Sequence, residues 1–432
     1  MKMWALVDCD NFFCSCERVF RPDMERRPVV VLSNNDGCVV ARSKEAKKLG
    51  IGMGLPYYQM KEQFPHADIT AFSSNYALYA DMSARVQATL KLEAPAVHQY
   101  SIDEAFLDLT GMDRFDLKAW GEALAAKVAK WTGIPVSIGI APSKTLAKVA
   151  VRFAKKYSGY NKCCIISGEE QRIKALQLLE IGDVWGIGRR LTSSLNSRGV
   201  YTAYDFTMKA KSWVRRFYHV TGERTWHELW GRDVIALETM DHKKQSIVTS
   251  RTFPGMITDE AELAAHVSNY AARCALKLRK QGSVCSMLSV YARTNPFRTD
   301  LPQYTGHASY IFSTPTATTS EIVAESKKLL HQLYRKGIHF KKAGVMVDKI
   351  SPAEALQPDL FEFDPDKRKK LDKLCEAMDN INKEHGNDTV ILAAQQYETK
   401  DERGKSVKFC DAIRRDMKSP DYSTRLDSFK VK

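Results

Sequence analysis

Residues 97–109, VHQYSIDEAFLDL, read as two alternating strands, VHQYS and AFLDL, with Ile102-Asp103-Glu104 at their junction. Upstream, MWALVD at 3–8 is a short apolar run, a buried strand that ends at Asp8. Residues 76–93 carry a long amphipathic helix pattern with Pro95 just beyond it. Downstream come a helix over about 116–131, the strand PVSIGI, and a helix from Lys144 to Lys156. With the inserted stretch 28–75 set aside, the order is strand, helix, strand, strand, helix, strand, which is the ferredoxin-like plan. There the first strand neighbours the middle hairpin, so Asp8 and Asp103-Glu104 meet at one edge of the sheet. The insertion itself reads as strand VVVLS at 29–33, a turn at Asn34-Asn35-Asp36-Gly37, the hairpin partner CVVAR, and a helix from Ser43 to Leu49 that stops at Gly50.

Beyond the hairpin region, residues 170–235 read as helical and rich in Trp and Arg. Within them, Val184-Trp185-Gly186-Ile187-Gly188 precedes a basic helix. A hydrophobic-Gly-x-Gly turn between short helices is the helix-hairpin-helix pattern, whose glycines let backbone amides approach a phosphate. A plain packing hairpin has the same look. Residues 243–349 repeat the earlier plan: strand SIVTSRTF, a helix near 258–281, strands CSMLSVYAR and ASYIF, a helix near 319–336, and strand KAGVMVDKI. That reads as a second ferredoxin-like unit. After Ser351-Pro352 the chain turns polar and charged and reads as a tail, partly helical and partly disordered.

A chain of 432 residues exceeds what one core usually organises, so several domains are expected. Lys plus Arg outnumber Asp plus Glu, 65 to 51, and the surplus is spread over many short clusters. Such a surface suits an extended polyanion such as nucleic acid, although a merely basic enzyme would share the number. The N-terminus has no apolar stretch with a cleavage site, and no apolar run is long enough to span a bilayer. The ten cysteines include no CxxC pair, which reads as reduced thiols in a cytoplasmic protein.

Carboxylates brought together repel unless a cation lies between them. Mg²⁺ takes few carboxylates and leaves positions for phosphates and water. Two such ions suit an in-line displacement by a primer 3′-hydroxyl with pyrophosphate leaving. Asp10 and Asp108 are competitors for the role of Asp8: the first reads also as a capping or solvent residue, the second as an outer-face strand residue. A lone Asp at a strand end is most often a turn cap.

DCDNFFCSCE at 8–17, SSNYALYADMS at 73–83, YSIDEAFLDLTG at 100–111 and GIAPSKTLAKVA at 139–150 together resemble the Y-family DNA polymerases. VVVLSNNDGCVVARSKEAKKLGIGMG, DVWGIGRRL and KAGVMV narrow the resemblance to the UmuC branch, and it runs colinearly through the C-terminal SPDYSTRLDSFKVK. The resemblance implies an α+β, multidomain right-hand polymerase: palm at 1–27 and 76–168, fingers at 28–75, a helix-hairpin-helix thumb at 169–238, a little finger at 243–350 and a tail at 351–432. It implies error-prone translesion synthesis in the SOS response to DNA damage. Asp8, Asp103 and Glu104 become the catalytic metal carboxylates, with the Cys9 carbonyl as a further ligand of two Mg²⁺ ions, which Mn²⁺ can replace. Phe13 falls at the steric gate, where the branch carries Tyr; ordinary core packing is its other reading. Lys44, Lys47 and Lys155 face the triphosphate, although many relatives carry Tyr and Arg at the first two positions, and a solvated basic face is the alternative. Gly186, Gly188, Arg189 and Arg190 are the DNA-binding set. Gln357-Pro358-Asp359-Leu360-Phe361 resembles a sliding-clamp peptide, with Gln357, Leu360 and Phe361 as anchors. Primer-template DNA, dNTPs, the clamp, a cleaved UmuD-type dimer and RecA are the implied partners, in the bacterial cytoplasm at the nucleoid. Two rival readings remain: a catalytically silent DNA-binding accessory, and another two-metal enzyme such as a nuclease or cyclase.

Overall fold

The first strand is apolar along both faces because both faces are covered. In the computed structural model, which describes residues 2–237, 243–355, 364–400, 406–409, 415–420 and 422, the chain forms two units. One comprises residues 1–240 with 415–432, the other residues 241–414.

The first unit runs β1 (Trp4–Cys9), α1 (Phe12–Val19), β2 (Val29–Leu32), β3 (Val39–Arg42), α2 (Lys44–Lys48), α3 (Tyr57–Gln63), β4 (Thr70–Ser73), α4 (Tyr76–Glu93), β5 (Ala96–Gln99), β6 (Glu104–Asp108), α5 (Leu117–Thr132), β7 (Val136–Ala141), α6 (Lys144–Lys156), β8 (Cys163–Ile165), α7 (Glu169–Gln177), α8 (Arg189–Asn196), α9 (Ala203–Thr207) and α10 (Lys211–Leu229). Its main sheet has the order β5-β6-β1-β7-β8. The first four positions are the expected ferredoxin-like arrangement, antiparallel throughout. The short strand β8 was not legible in sequence; it adds parallel to β7 after the crossover of α6. Residues 28–75 form their own three-stranded sheet, β3-β2-β4, over a small core of Val30, Leu32, Val39, Ile51 and Met60.

Alternation along β1 divides the core in two. Ala5, Val7 and Cys9 join Tyr79, Met82 and Leu124 of α4 and α5. Trp4 and Leu6 join Phe106 and the apolar face of α6. α6 lies so close to β7 that a Cβ on Gly139 would strike the backbone of Ala147 and Val151. Its N-terminus is held by Ser143, whose hydroxyl accepts the Leu146 amide at 3.3 Å, and by the buried Glu228 carboxylate, which accepts the Thr145 amide at 2.9 Å. The other Glu228 oxygen accepts the amides of Val234 and Ile235 at 2.9 and 3.0 Å.

The second unit runs β9 (Ile247–Ile257), α11 (Glu260–Lys280), β10 (Ser283–Arg293), β11 (Thr305–Thr316), α12 (Thr319–Leu333), β12 (Phe340–Pro352), α13 (Pro365–His385), β13 (Tyr397–Lys400) and β14 (Ser406–Phe409). The succession of its first six elements is the expected one, but the lateral order β11-β10-β12-β9 is not that of the main sheet in the first unit. There the first and third strands of the motif are central; here the second and fourth are. Both orders are fully antiparallel, so succession alone does not separate them. Burial does: β10 and β12 hold buried runs such as Ala343-Gly344-Val345, whereas β9 and β11 hold none.

The stretch read as a tail is also different. Residues 364–400 fold onto the second unit. Arg279 makes a two-pronged pair with Asp379 of α13 at 2.8 and 2.7 Å, and Asn269 and Gln395 bond one another while buried. α13 was hard to read because its docking is mostly polar, with Cys375 its one buried residue. Residues 415–422 return to the first unit. Among the described residues no helix is long and apolar enough to cross a membrane.

Removing the Glu228 carboxylate leaves three amides without their acceptor. Glu228→Ala is expected to destabilise the first unit by about 3 kcal/mol, read as a drop in the urea midpoint of its unfolding transition.

Candidate active site

Pairing of β1 with β6 sets Asp8 directly opposite Glu104. Their side chains share the face covered by α6, and each meets a lysine from that helix. Lys155 Nζ bonds the Asp8 carboxylate, and Lys148 Nζ bonds both Glu104 oxygens at 2.9 and 3.0 Å. The seven-residue interval between the two lysines, two helical turns, places both on one helix face. Lys148 also lies over the rings of Tyr100, Trp185 and Phe106, at 4.7, 5.3 and 5.9 Å from their centroids.

The β5–β6 turn is shaped by one side chain. Ser101 Oγ donates to Asp103 Oδ1 at 2.6 Å and accepts the Glu104 amide at 3.0 Å. The Asp103 carbonyl accepts the Cys9 amide at 2.9 Å, tying the turn to the end of β1. Asp8, Cys9, Asp103 and Glu104 are therefore neighbours, as the topology predicts. No group of three His, Cys, Asp or Glu side chains converges at metal-ligand distance among the described residues. Lysine and serine contacts occupy the carboxylates instead. The donor set of three carboxylates with a nearby carbonyl still has the hard-oxygen character a divalent cation of the Mg²⁺ type requires.

Burial pushes the Asp8 carboxyl up to about 6; Lys155 pulls the other way, and repulsion from Glu104 and Asp103 adds to the rise. Asp10 is neither solvated nor a plain cap: it is buried, accepts from Ser137 at 3.0 Å and pairs with Lys162 at 2.6 Å. It also stands 3.9 Å from Lys155, which lies between the two aspartates. Asp108 is a strand residue at the far end of β6, paired with Trp4 and accepting the Thr110 amide at 2.9 Å.

Phe13, on α1, is half-buried and stacks on Tyr79 at 4.4 Å with an interplanar angle of 14°, while Tyr76 meets it edge-on at 5.9 Å. The Tyr79 hydroxyl donates to buried Glu17 at 2.7 Å. Core packing and partial exposure thus coexist at this residue. Asn11 opens α1 in the left-handed region (φ 49°) and accepts Lys47 Nζ at 2.6 Å. Burial, then repulsion from Arg42 and Lys155, lowers the Lys47 pKa, so Lys47 and Lys155 belong to one positive field. Lys44 is exposed and lines an adjoining cleft of about 500 Å³ with Asp10, Asn11 and Lys162.

In the glycine-rich turn, Gly186 has φ +88°, a conformation L side chains avoid. Gly188 caps α8 with no side-chain cap bond, and nothing lies within 4 Å of where its Cβ would be. Exposed Arg189 and Arg190 follow. The element before the turn is a single 3₁₀ turn, Ile181–Asp183, rather than an α-helix. Trp185 faces inward onto Tyr100 at 5.7 Å. Gln357, Leu360 and Phe361 lie outside the described residues. Sequence reasoning missed Lys148, Ser101, Asn11 and Lys162. Helical spacing from Lys155 would have found the first, and the tolerance of Asn for left-handed backbone the third.

Residues 7–152 match the impB/mucB/samB family and residues 244–360 the C-terminal domain of the same family. Residues 372–431 match a domain of unknown function, DUF4113. Protein UmuC of Salmonella typhimurium is 42% identical over 433 residues, with both chains fully covered. Protein ImpB of the same species is 40% identical over 98% of each chain, and Protein MucB of Escherichia coli 36% identical over 99% of each. Among solved structures, a Y-family DNA polymerase chimera of Dbh and Dpo4 matches the fold at 21% identity with a TM-score of 0.65, over 81% of this chain and 99% of that one.

The raised Asp8 pKa fixes a pH dependence. An acid whose folded pKa lies above its unfolded value contributes stability below the unfolded value, near 4, and loses it as pH rises through the folded one, about 6. The span corresponds to about 3 kcal/mol. With a chelator present, Asp8→Asn is expected to raise the melting temperature at pH 8 and to change it little at pH 4.5; equal shifts at both contradict burial as the cause.

Proposed function

Because the chain belongs to the impB/mucB/samB family, in the UmuC branch of the Y-family DNA polymerases, we propose that its Asp8–Glu104 strand pair is the polymerase active site. The enzyme is a DNA-directed DNA polymerase of the translesion type, extending a primer across damaged template in the SOS response. The observation that carries the site assignment is the β1–β6 register, which places the two carboxylates opposite one another under α6, with Asp103 tied to the same turn.

The sheet of residues 1–27 and 76–168 serves as palm, 28–75 as fingers, 169–238 as thumb and 243–350 as little finger. Asp8, Asp103 and Glu104, with the Cys9 carbonyl, would hold two Mg²⁺ ions, for which Mn²⁺ can substitute. When bound, these ions supply activation of the primer 3′-hydroxyl and charge stabilisation of the departing pyrophosphate. The residues of the chain do the rest. Ser101 orients Asp103 by hydrogen bonding. Lys148 and Lys155 pair with the Glu104 and Asp8 carboxylates. A lysine released from Asp8 lies in the same positive field as Lys47 and, with Lys44 beside them, faces the triphosphate. Phe13, fixed flat on Tyr79, occupies the space a ribose 2′-hydroxyl needs.

The turn at Gly186 and Gly188 presents free amides at the start of α8, and with Arg189 and Arg190 it binds a backbone phosphate of the duplex without reading sequence. Gln357, Leu360 and Phe361 dock the enzyme on the sliding clamp. The family resemblance extends the assembly to a cleaved UmuD-type dimer and RecA, acting at the bacterial nucleoid. A silent accessory would not need the carboxylate set; here Asp8, Asp103 and Glu104 are all present.

Primer extension on a lesion-bearing template tests the assignment. Asp103→Ala is expected to cut nucleotide insertion by about a thousandfold, roughly 4 kcal/mol of transition-state stabilisation, while primer-template binding persists. Extension at the parental rate contradicts the metal assignment. Phe13→Ala is expected to lower discrimination against ribonucleotides at least about tenfold. Unchanged discrimination makes Phe13 a core residue only.

A further inference from the structure

The chain reaches residues 415–422 after completing the second unit, yet they lie against the first. Met417 caps the edge of the fingers sheet. Its amide donates to Ser73 Oγ at 2.9 Å, and its carbonyl accepts the Ser73 amide at 3.0 Å. The Tyr57 hydroxyl donates to its sulfur at 3.4 Å, and its side chain packs on the fingers core. Two residues on, the hydroxyl of buried Ser419 accepts Asn75 Nδ2 at 3.0 Å. Tyr422 stacks on Phe20 at 4.3 Å with planes 5° apart.

These contacts fall at particular places. Ser73-Ser74-Asn75 is the buried junction where the chain passes from the fingers back into the palm. Asn75 caps α4, accepting the Leu78 amide at 3.4 Å. Phe20 ends α1. α1 carries Phe13 and Glu17; α4 carries Tyr76 and Tyr79. The stacked pair Phe13–Tyr79 and the bond from Tyr79 to Glu17 span the gap between the two helices. One short segment therefore grips α1 at its end, α4 at its start and the fingers at their edge.

We propose that Met417, Ser419 and Tyr422 are positioning residues for the nucleotide-selecting ring. The segment is a strap that sets the spacing of α1 and α4 and pins the fingers junction. The C-terminal end of the chain, inside the stretch that matches a domain of unknown function, thereby takes part in sugar discrimination and dNTP affinity without touching the nucleotide. This rests on the reading of Phe13 as the gate.

The test is single-nucleotide insertion by the full-length chain, in the assembly in which it extends primers, on undamaged template with a dNTP or its ribonucleotide. Ser419→Ala and Tyr422→Ala are expected to raise the dNTP KM about three- to tenfold and to lower ribonucleotide discrimination by a similar factor, with kcat within about twofold of the parent. Tyr422→Phe, which keeps the stacked ring, is expected to restore both. Phe13→Ala runs alongside as the reference. If it loses discrimination while both alanine variants keep parental KM and discrimination, the strap is refuted and the gate stands. A fall in kcat alone in the alanine variants refutes the strap equally. If Phe13→Ala itself discriminates like the parent, the gate reading fails, and the strap with it.

Discussion

Two carboxylates, Asp8 and Glu104, are forced face to face by strand pairing, and everything around them answers the repulsion that results. Register leaves no escape: a shift of one residue would carry Asp8 onto the buried face that Ala5, Val7 and Cys9 share with α4 and α5. The chain meets the repulsion with two lysines from a single helix, and burial still holds the Asp8 carboxyl near 6. A site that is poorly satisfied when empty is one that a divalent cation improves. The cost in stability falls where the proposed chemistry is done.

The helix that supplies the lysines is itself placed by close approach and capping. Gly139 lets α6 press on β7, and Glu228 anchors its N-terminus from the helical region that follows the main sheet. Trp185, in the glycine-rich turn, has Lys148 over its ring, and Lys148 in turn bonds Glu104. The proposed phosphate-binding turn and the proposed metal site therefore share a wall of aromatic rings. Phe13 is similarly over-determined, by Tyr79 and Tyr76 of α4, with Tyr79 itself bonded to Glu17 on α1.

Much of this was legible in the sequence. The strands at 3–8 and 97–109, the helices at 76–93 and 144–156 and the turn after Gly186 announced themselves by period, apolar runs and glycine. Adjacency of Asp8 with Asp103-Glu104 followed from topology. What was not legible has common physical causes. The lateral strand order of the second unit depends on which strands are buried on both faces, a tertiary property that succession does not encode. α13 docks largely through the Arg279–Asp379 pair and fully buries only Cys375, so little of its contact with the second unit is apolar burial. The return of Met417, Ser419 and Tyr422 to the first unit joins residues more than 300 positions apart through a few polar bonds and one stacked pair, which leaves no local pattern. Lys148 and Lys162 were hidden for a simpler reason: in a chain with 65 basic residues, a lysine stands out only once its partner is known.

The central claim is that Asp8, Asp103 and Glu104 are a divalent-cation site. Its most direct test is Mn²⁺ binding followed by electron paramagnetic resonance, in a complex with a dideoxy-terminated primer-template and the next dNTP, so that binding is seen without turnover. The parent chain is expected to take up about two Mn²⁺ ions displaceable by Mg²⁺, and an Asp8→Asn, Glu104→Gln chain to lose them while still holding DNA. Uptake by that double variant at the parental level contradicts the account.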